Sequence, residues 1–546
     1  MIVWGLTSCK LVGGSCPSLR DRELHSVLSG RFAVIRLIEL TIVRKSFSEP
    51  VPEHTQFPHS TKRWWKGLLG HWRLPLIVAF LVRVVAAFYW EWYFGGKFVF
   101  GDSESYWVLA RALAEGEEYR YGNARIFRMP GYPAVLAPLF WLAADEPPYV
   151  WARIEGAVLG TLAVWGIFLL GRFLADERVG IVAAWWAALY PGAIGLSIWI
   201  LSEALFCPVM ILGLLTTARS FQADEKRQGV FRAVIAGAIH GLAILTRPSW
   251  LFFPFFAGLV AIAAGPARLL QTGRAVAMMA ATVCTLVPWW IRNWCLTGRW
   301  IPTTLQVGAS LYDGLHPLAT GGSDLSYVSA KMAEWAKELA TRGAELRGEP
   351  PGGSEVKERS ESNQDTLSTS APIPFEGAPG RYPEERRGIC RKWGIWEISD
   401  RARKQIDQEV LFDTRLREEA LRWAWANPHR VVSLAVVKLK RLWNIWPNEP
   451  AFQNLPVRLT VALTFLPTFG FAILGLVMGG WRSWGWVCTL PALYFTGIHC
   501  VFVSSLRYRE PAILALIPMA ALGLVHVLDR LSASRQGPAW SKETKK

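Results

Sequence analysis

Read for hydropathy alone, the chain is a series of long apolar runs separated by short polar stretches. A helix that crosses a bilayer needs about 20 apolar residues. Ten segments qualify, near 74–94, 151–171, 179–199, 201–219, 231–246, 249–265, 275–291, 456–478, 484–503 and 510–528. The pattern predicts an all-α integral membrane protein. One further apolar run, PGYPAVLAPLFWLAA at 130–144, has only 15 residues and holds three prolines. Proline breaks the helical hydrogen-bond ladder and the run is short, so it reads as an interfacial or re-entrant helix on the outer face.

The polar stretches fix an orientation. Loops on the cytoplasmic side carry an excess of Lys and Arg. With Lys62, Arg63, Lys66 and Arg73 inside, the inner loops are those holding Arg172 to Arg178, Arg219 to Arg232, Arg268 to Arg274 and Arg482, followed by the tail from Arg530 to Lys546. All are short and basic. Residues 1–60 form a leader with no span, since FAVIRLIELTIV is short and interrupted by Arg36 and Glu39, and an over-called gene start is one reading of it. Residues 61–291 are expected to form a transmembrane core with a first outer loop at 95–150. A long outer-face loop spans 292–455, residues 456–530 form the C-terminal transmembrane helices, and 531–546 a basic cytoplasmic tail. Within the long loop, 347–381 is rich in Gly, Pro, Ser and charge, a composition that predicts disorder. Its flanks, SYVSAKMAEWAKELATR and SDRARKQIDQEVLFDTRLREEALRWAWANP, have helical periodicity and are expected to lie on the outer membrane surface or to cap a site.

Composition agrees with this class. Hydrophobic residues make up 52% of the 546 and charged residues only 19%, and the 29 Trp are far more than a soluble chain carries. Pairs such as Trp289 and Trp290 sit near span ends, where an amphipathic ring is at home among headgroups. The net charge of +16 needs no nucleic acid, because topology and inner-leaflet lipid account for most of it. The eight cysteines include no CxxC and no His/Cys cluster, which speaks against a structural zinc site. GxGxxG and GxxxxGK[ST] are absent, which argues against a nucleotide-driven pump.

The candidate chemistry lies where charge meets apolar span. Asp102 and Glu104 (GDSESY), Arg128 (FRMPGYP), Glu203 (ILSEALF), Arg247 (LTRPSW), Arg292 (IRNW), and Arg507 with Arg509 (SLRYREP) all fall at segment ends on the predicted outer side. Charges gathered at one membrane face suit an anionic, membrane-borne substrate. Arginine's planar fork matches phosphate oxygens, so Arg128, Arg247, Arg507 and Arg509 are candidate phosphate ligands. The same arginines could instead snorkel to lipid headgroups, and Arg292 reads as an ordinary boundary arginine. Glu203 either caps the helix that begins at Leu205 or binds metal or acceptor. His316 is a loop histidine, and Arg83, inside the first span, requires a structural partner.

Five motifs in order, GDSESYWVLARALAEG, FRMPGYPAVLAPLF, GLAILTRP, RNWCLTGRWIPTTLQVGASLYDGLHPLATGG and RYREPAILALIP, give the chain a resemblance. It resembles the GT-C glycosyltransferases, in particular the bacterial branch similar to dolichyl-phosphate-mannose protein mannosyltransferases and lipid A aminoarabinose transferases. The resemblance covers roughly 74–530 apart from the centre of the outer loop. It implies a polytopic GT-C fold with about ten transmembrane helices and outer-face juxtamembrane helices. It also implies transfer of a sugar, with inversion, from a polyprenyl-phosphate donor to a glycan, lipid or protein acceptor at the outer face of the cell membrane. Asp102 matches the family's catalytic Asp, accompanied by Glu104. Tyr106, Arg128, Tyr132, Glu203, Arg247, His316, Arg507, Tyr508 and Arg509 are the candidate substrate contacts. The first acidic motif is DSE and the second acidic position is a single Glu203, which leaves a divalent metal, Mg or Mn, open. The rival classes are a polyprenyl-linked glycan flippase and a non-catalytic envelope assembly protein. A transporter normally carries an internal repeat and mid-span breaks, and no clear repeat is present.

Overall fold

The computed structural model describes residues 71–143, 145–265, 267–346, 390, 399–448, 452–478 and 484–535. The leader 1–60, the centre of the outer loop at 347–381 and most of the basic tail lie outside these residues. In chain order the helices are α1 (Arg73–Phe94), α2 (Gly101–Glu115), α3 (Gly131–Leu142), α4 (Tyr149–Leu174), α5 (Glu177–Leu189), α6 (Pro191–Ile198), α7 (Glu203–Gln222), α8 (Lys226–Thr246), α9 (Phe253–Ala264), α10 (Arg268–Thr297), α11 (Val307–Gly314), α12 (Leu325–Leu346), α13 (Asp400–Ala426), α14 (Pro428–Leu442), α15 (Leu455–Val477), α16 (Trp486–Val501) and α17 (Leu506–Arg535). Among the described residues there is no strand, and one isolated bridge joins Tyr121 to Ala124.

The chain is a multi-pass membrane protein. Seven of these helices, α1, α4, α7, α8, α10, α15 and α17, are long and apolar enough to cross a bilayer, and α5 with α6 makes an eighth span if the pair, bent by 59°, is one crossing. All ten expected segments are helical, but two fall short. The stretch Pro248–Ala264 and helix α16 reach about 25 Å at 1.5 Å per residue, against a hydrocarbon core of about 30 Å. Pro248 and Pro254 explain the first shortfall, since each can start a helix but neither can continue one. The run at 130–144 forms the 12-residue α3, which is too short to cross.

Packing separates centre from rim. The membrane-length window of α17 is 78% buried against 22% for α1, so α17 runs through the bundle and α1 along its edge. Helices α15 and α17 touch backbone to backbone at Gly475 and Gly523. A Cβ on Gly475 would lie 2.1 Å from the Met519 carbonyl, and one on Gly523 would lie 2.2 Å from that of Phe471. Small residues that let helices approach this closely are the usual membrane interface. On the outside, Trp92, Val85, Leu463, Val477 and Leu493 are exposed apolar side chains that suit lipid.

Arg83 finds its structural partners at the bend between α5 and α6. Pro191 has no N–H, so carbonyls at the end of α5 lose their helical partners. The Arg83 guanidinium donates to the carbonyls of Ala187 (3.2 Å) and Ala188 (3.1 Å), to its own-helix Ala79 carbonyl (3.1 Å) and to Ser197 Oγ (3.2 Å). A buried cation without a carboxylate is thereby satisfied, and the broken span is stapled to α1.

Candidate functional site

Four connections bring polar residues to one end of the bundle. Helix α2 opens with Asp102 and Glu104 in its first turn, where the unpaired N–H groups favour acids. It stops at Gly116, whose left-handed φ of 73° closes the last turn. Helix α7 begins with Glu203 after a tight turn in which Ile200 holds a φ of 52°. A β-branched residue in that region costs on the order of 1–3 kcal/mol, and such strain accumulates at functional sites. Helix α8 ends at Thr246 because Arg247 precedes Pro248 and is pushed into extended backbone, φ −136° and ψ 113°. Arg507 lies in the first turn of α17.

These charges meet. Arg128 Nη2 donates to Asp102 Oδ1 at 2.6 Å and Arg507 Nη2 to Asp102 Oδ2 at 2.9 Å. Arg507 Nε also lies 2.9 Å from Glu203 Oε1, and Arg247 Nη1 lies 2.5 Å from the same oxygen. Glu203 is 1% exposed, Arg247 12%, Arg507 19%, Arg128 22% and Asp102 34%, so the cluster opens to solvent on its Asp102 side. Three guanidinium groups and two carboxylates leave one positive charge in excess. Glu203 Oε1, Arg247 Nη1 and Arg507 Nε are all buried, so both arginines converge on one carboxylate oxygen as buried ion pairs.

Aromatic rings wall the cluster. The Arg128 guanidinium lies over Phe127 (4.5 Å) and Tyr106 (5.3 Å), Arg507 over Tyr508 (5.2 Å), and Arg247 over Tyr508 and Phe206 (5.8 Å each). Tyr508 stacks on His499 at 4.7 Å, and Tyr106 meets buried Tyr132 edge to face at 5.3 Å. Ser105, which sequence reasoning passed over, accepts from Arg128 Nε at 3.1 Å, although its place three residues after Asp102 puts it on the same helix face. Burial works to raise the Asp102 carboxyl. The charges of Arg128 and Arg507 and their hydrogen bonds outweigh it and hold the group down to about 2.

Three candidate contacts are elsewhere. Arg509 is fully buried and points away, donating to the carbonyls of Leu442 and Asn444, with its guanidinium 3.9 Å from the Phe465 ring centre and Nε 3.5 Å from Glu510. It ties α14 to α17 and is not available to a phosphate. His316 is buried between Tyr312 (5.4 Å) and Tyr327 (4.8 Å), in a separate aromatic cluster of the outer loop. Glu104 is exposed and stands outside the ion-pair cluster. Arg292 proves to be more than a boundary residue. Its Nη2 donates to the carbonyls of Tyr119 (3.1 Å) and Arg125 (3.0 Å), so it shapes the loop that carries Arg128.

The donor set does not suit a metal. Among the described residues no three His, Cys, Asp or Glu side chains converge. Asp102 and Glu203, the two acids of the cluster, are turned onto arginines. A disulfide that the sequence did not reveal joins Cys295, at the end of α10, to Cys390 beyond the long loop's centre.

Two solved structures are similar in outline, both of an oligosaccharyltransferase from Archaeoglobus fulgidus. One is the archaeal enzyme AglB in complex with an inhibitory peptide and a dolichol-phosphate, with a TM-score of 0.45. The other is the apo form, with a TM-score of 0.47. Each is 15% identical and covers 87% of this chain and 52% of its own. The chain thus spans about half the length of the proteins it resembles. No family model and no curated protein matches it. At this distance the chemistry of the chain has to be read from its own side chains.

Proposed function

We propose that the chain is a membrane glycosyltransferase that moves a sugar from a polyprenyl-phosphate donor to an acceptor hydroxyl at the outer face of the cell membrane, with inversion. One observation carries this reading. Five charged side chains from α2, the following loop, α7, the end of α8 and the start of α17 meet at one end of the bundle with one positive charge in excess. A phosphate diester brings one negative charge and acceptor oxygens to such a place. The order of the sequence motifs supports the same reading by their resemblance to the GT-C glycosyltransferases. The Cys295–Cys390 disulfide is consistent with a loop on the oxidising side of the membrane.

In this reading Arg247, Arg507 and Arg128 hold the phosphate, and Asp102 is the base. Without donor, both Asp102 oxygens are occupied by arginine and the carboxylate is a weak base. Phosphate oxygens compete for those same donors, so donor binding loosens them from Asp102 and raises its basicity. The acceptor hydroxyl then gives its proton to Asp102 while its oxygen bonds to C1 of the sugar. The C1–O bond to phosphate breaks and its electron pair leaves on the lipid phosphate, whose growing charge the arginines stabilise. Tyr106, Tyr132 and Tyr508 supply the aromatic walls. The test is transfer of radiolabelled sugar from polyprenyl-phosphate sugars by the purified full-length chain, with and without chelator. Transfer that survives chelator and is lost in Asp102→Asn is expected. Failure with every lipid-phosphate sugar would overturn the reading.

A further inference from the structure

The loop that carries Arg128 is held by a helix nearly three hundred residues downstream. Glu409 of α13 accepts from two consecutive backbone N–H groups, that of Arg125 at Oε2 (2.9 Å) and that of Ile126 at Oε1 (3.1 Å). One turn earlier on the same helix face, Gln405 accepts from Arg125 Nη1 (3.0 Å) and donates to Asn123 Oδ1 (2.7 Å). One turn later, Asp413 accepts from the Gly308 N–H at 2.6 Å. From the opposite side Arg292 grips the carbonyl of Arg125. Arg125 itself, 4% exposed, is paired through its terminal nitrogens with Glu118 and Gln405, so the backbone at 125–126 is held from both α13 and α10. Two residues on, the Arg128 side chain reaches Asp102.

We propose that Glu409 is a positioning residue that sets Arg128 for the donor phosphate by clipping the backbone of residues 125 and 126 to α13. The proposal rests on the reading of Arg128 as a phosphate ligand. A carboxylate can take both N–H groups at once, whereas the protonated acid keeps full acceptor strength on one oxygen only. Burial raises the Glu409 carboxyl to about 7, against the lowering pull of the two backbone N–H groups and of Arg292 and Arg125. The charged groups that act on it are Arg292 of α10 and Arg125 of the loop, and Arg125 is in turn paired with Glu118. A polar cavity of about 270 Å³ lined by Glu118, Arg120, Asn123, Arg125, Ser399 and Gln405, among others, lies beside this junction. The clip therefore closes as pH rises through neutrality and loosens below it.

The test compares the wild-type full-length protein with Glu409→Gln, which keeps the shape but cannot ionise. Wild type should show a higher KM for the polyprenyl-phosphate sugar at a pH of about 6 than at about 8, with kcat less affected. Glu409→Gln should abolish that difference and hold donor KM up by about 5-fold at both, the effect of one weakened hydrogen bond. Adding Glu409→Gln to Arg128→Lys should cost less than it does alone, because both act on one contact. A second readout does not depend on transfer. Protection of the Arg125 and Ile126 amides against hydrogen exchange should fall in Glu409→Gln. Unchanged protection overturns the clip whatever the protein catalyses. Reduced protection with unchanged donor KM and pH profile leaves the clip intact but overturns its positioning role. Absence of transfer in wild type, with the amides protected as expected, counts against the glycosyltransferase reading and not against the clip.

Discussion

Replacing Arg507 by Lys separates phosphate recognition from simple anchoring. The Arg507 guanidinium bridges two carboxylates, with Nη2 2.9 Å from Asp102 Oδ2 and Nε 2.9 Å from Glu203 Oε1. A lysine keeps the charge and the stem but has one point of attachment, so it can serve one carboxylate or one phosphate oxygen at a time. The loss is one charge-assisted hydrogen bond in a site about one-fifth exposed. That is worth roughly 1.5–3 kcal/mol, or about 10- to 150-fold in kcat/KM for the lipid donor. Arg509→Lys provides the contrast. Arg509 binds the Leu442 and Asn444 carbonyls under α14 and faces away from the cluster. Its lysine variant should lower thermal stability and leave donor kinetics near wild type. Steady-state donor kinetics of both variants in the same lipid environment decide the matter. Wild-type kinetics in Arg507→Lys, or a donor defect confined to Arg509→Lys, would refute the assignment.

Asp102→Asn should lower transfer by about 100-fold or more with protein level unchanged, and Glu104→Gln should cost much less, since Glu104 is exposed outside the cluster. Cys295→Ser opens a crosslink across 95 residues, for which loop entropy allows up to about 4.5 kcal/mol. A fall in melting temperature is expected, and in wild type neither Cys295 nor Cys390 should react with maleimide before reduction. Reporter fusions after Asp176, Asp224 and Gln271 should report cytoplasm, and fusions within 345–380 the other side. A cytoplasmic signal from the long loop would overturn the orientation on which the outer-face site depends.

The spans were legible because a bilayer imposes a length and a composition on every crossing, and the charges at span ends were legible because water begins there. Which of those charges meet was not. Residues two apart in a helix lie about 200° apart around its axis, so Arg507 and Arg509 cannot both face one phosphate. RYRE does not reveal which one turns inward, because the phase of α17 is set by its packing on α15 and α16. Arg292 looked like a boundary residue because its partners are backbone carbonyls, which leave no trace in side-chain patterning. Glu409 was hidden in a helix whose apolar stripe was visible while its polar one was not. Gln405, Glu409 and Asp413 recur every four residues beside buried Ile406 and Val410, a spacing that aligns all three along the edge of the buried stripe. Cys295 and Cys390 flank a stretch too long and irregular for sequence to imply that they meet.

The charge count in the cluster also bears on why Asp102 is the base in this reading. With the donor bound, three arginines, two carboxylates and one phosphate diester sum to zero. On transfer the lipid phosphate becomes a monoester carrying about −1.5 to −2, while Asp102 takes the acceptor's proton and becomes neutral. The protein side rises from +1 to +2 as the phosphate side falls by a similar amount, so a partly buried site never holds a large uncompensated charge. A base outside the cluster would not give this balance. The consequence is measurable in Asp102→Asn, which carries +2 before any chemistry. That variant should turn over poorly yet bind the lipid monophosphate product more tightly than wild type does. Equal or weaker product binding would mean that the proton goes elsewhere and that Asp102 serves only to hold Arg128 and Arg507.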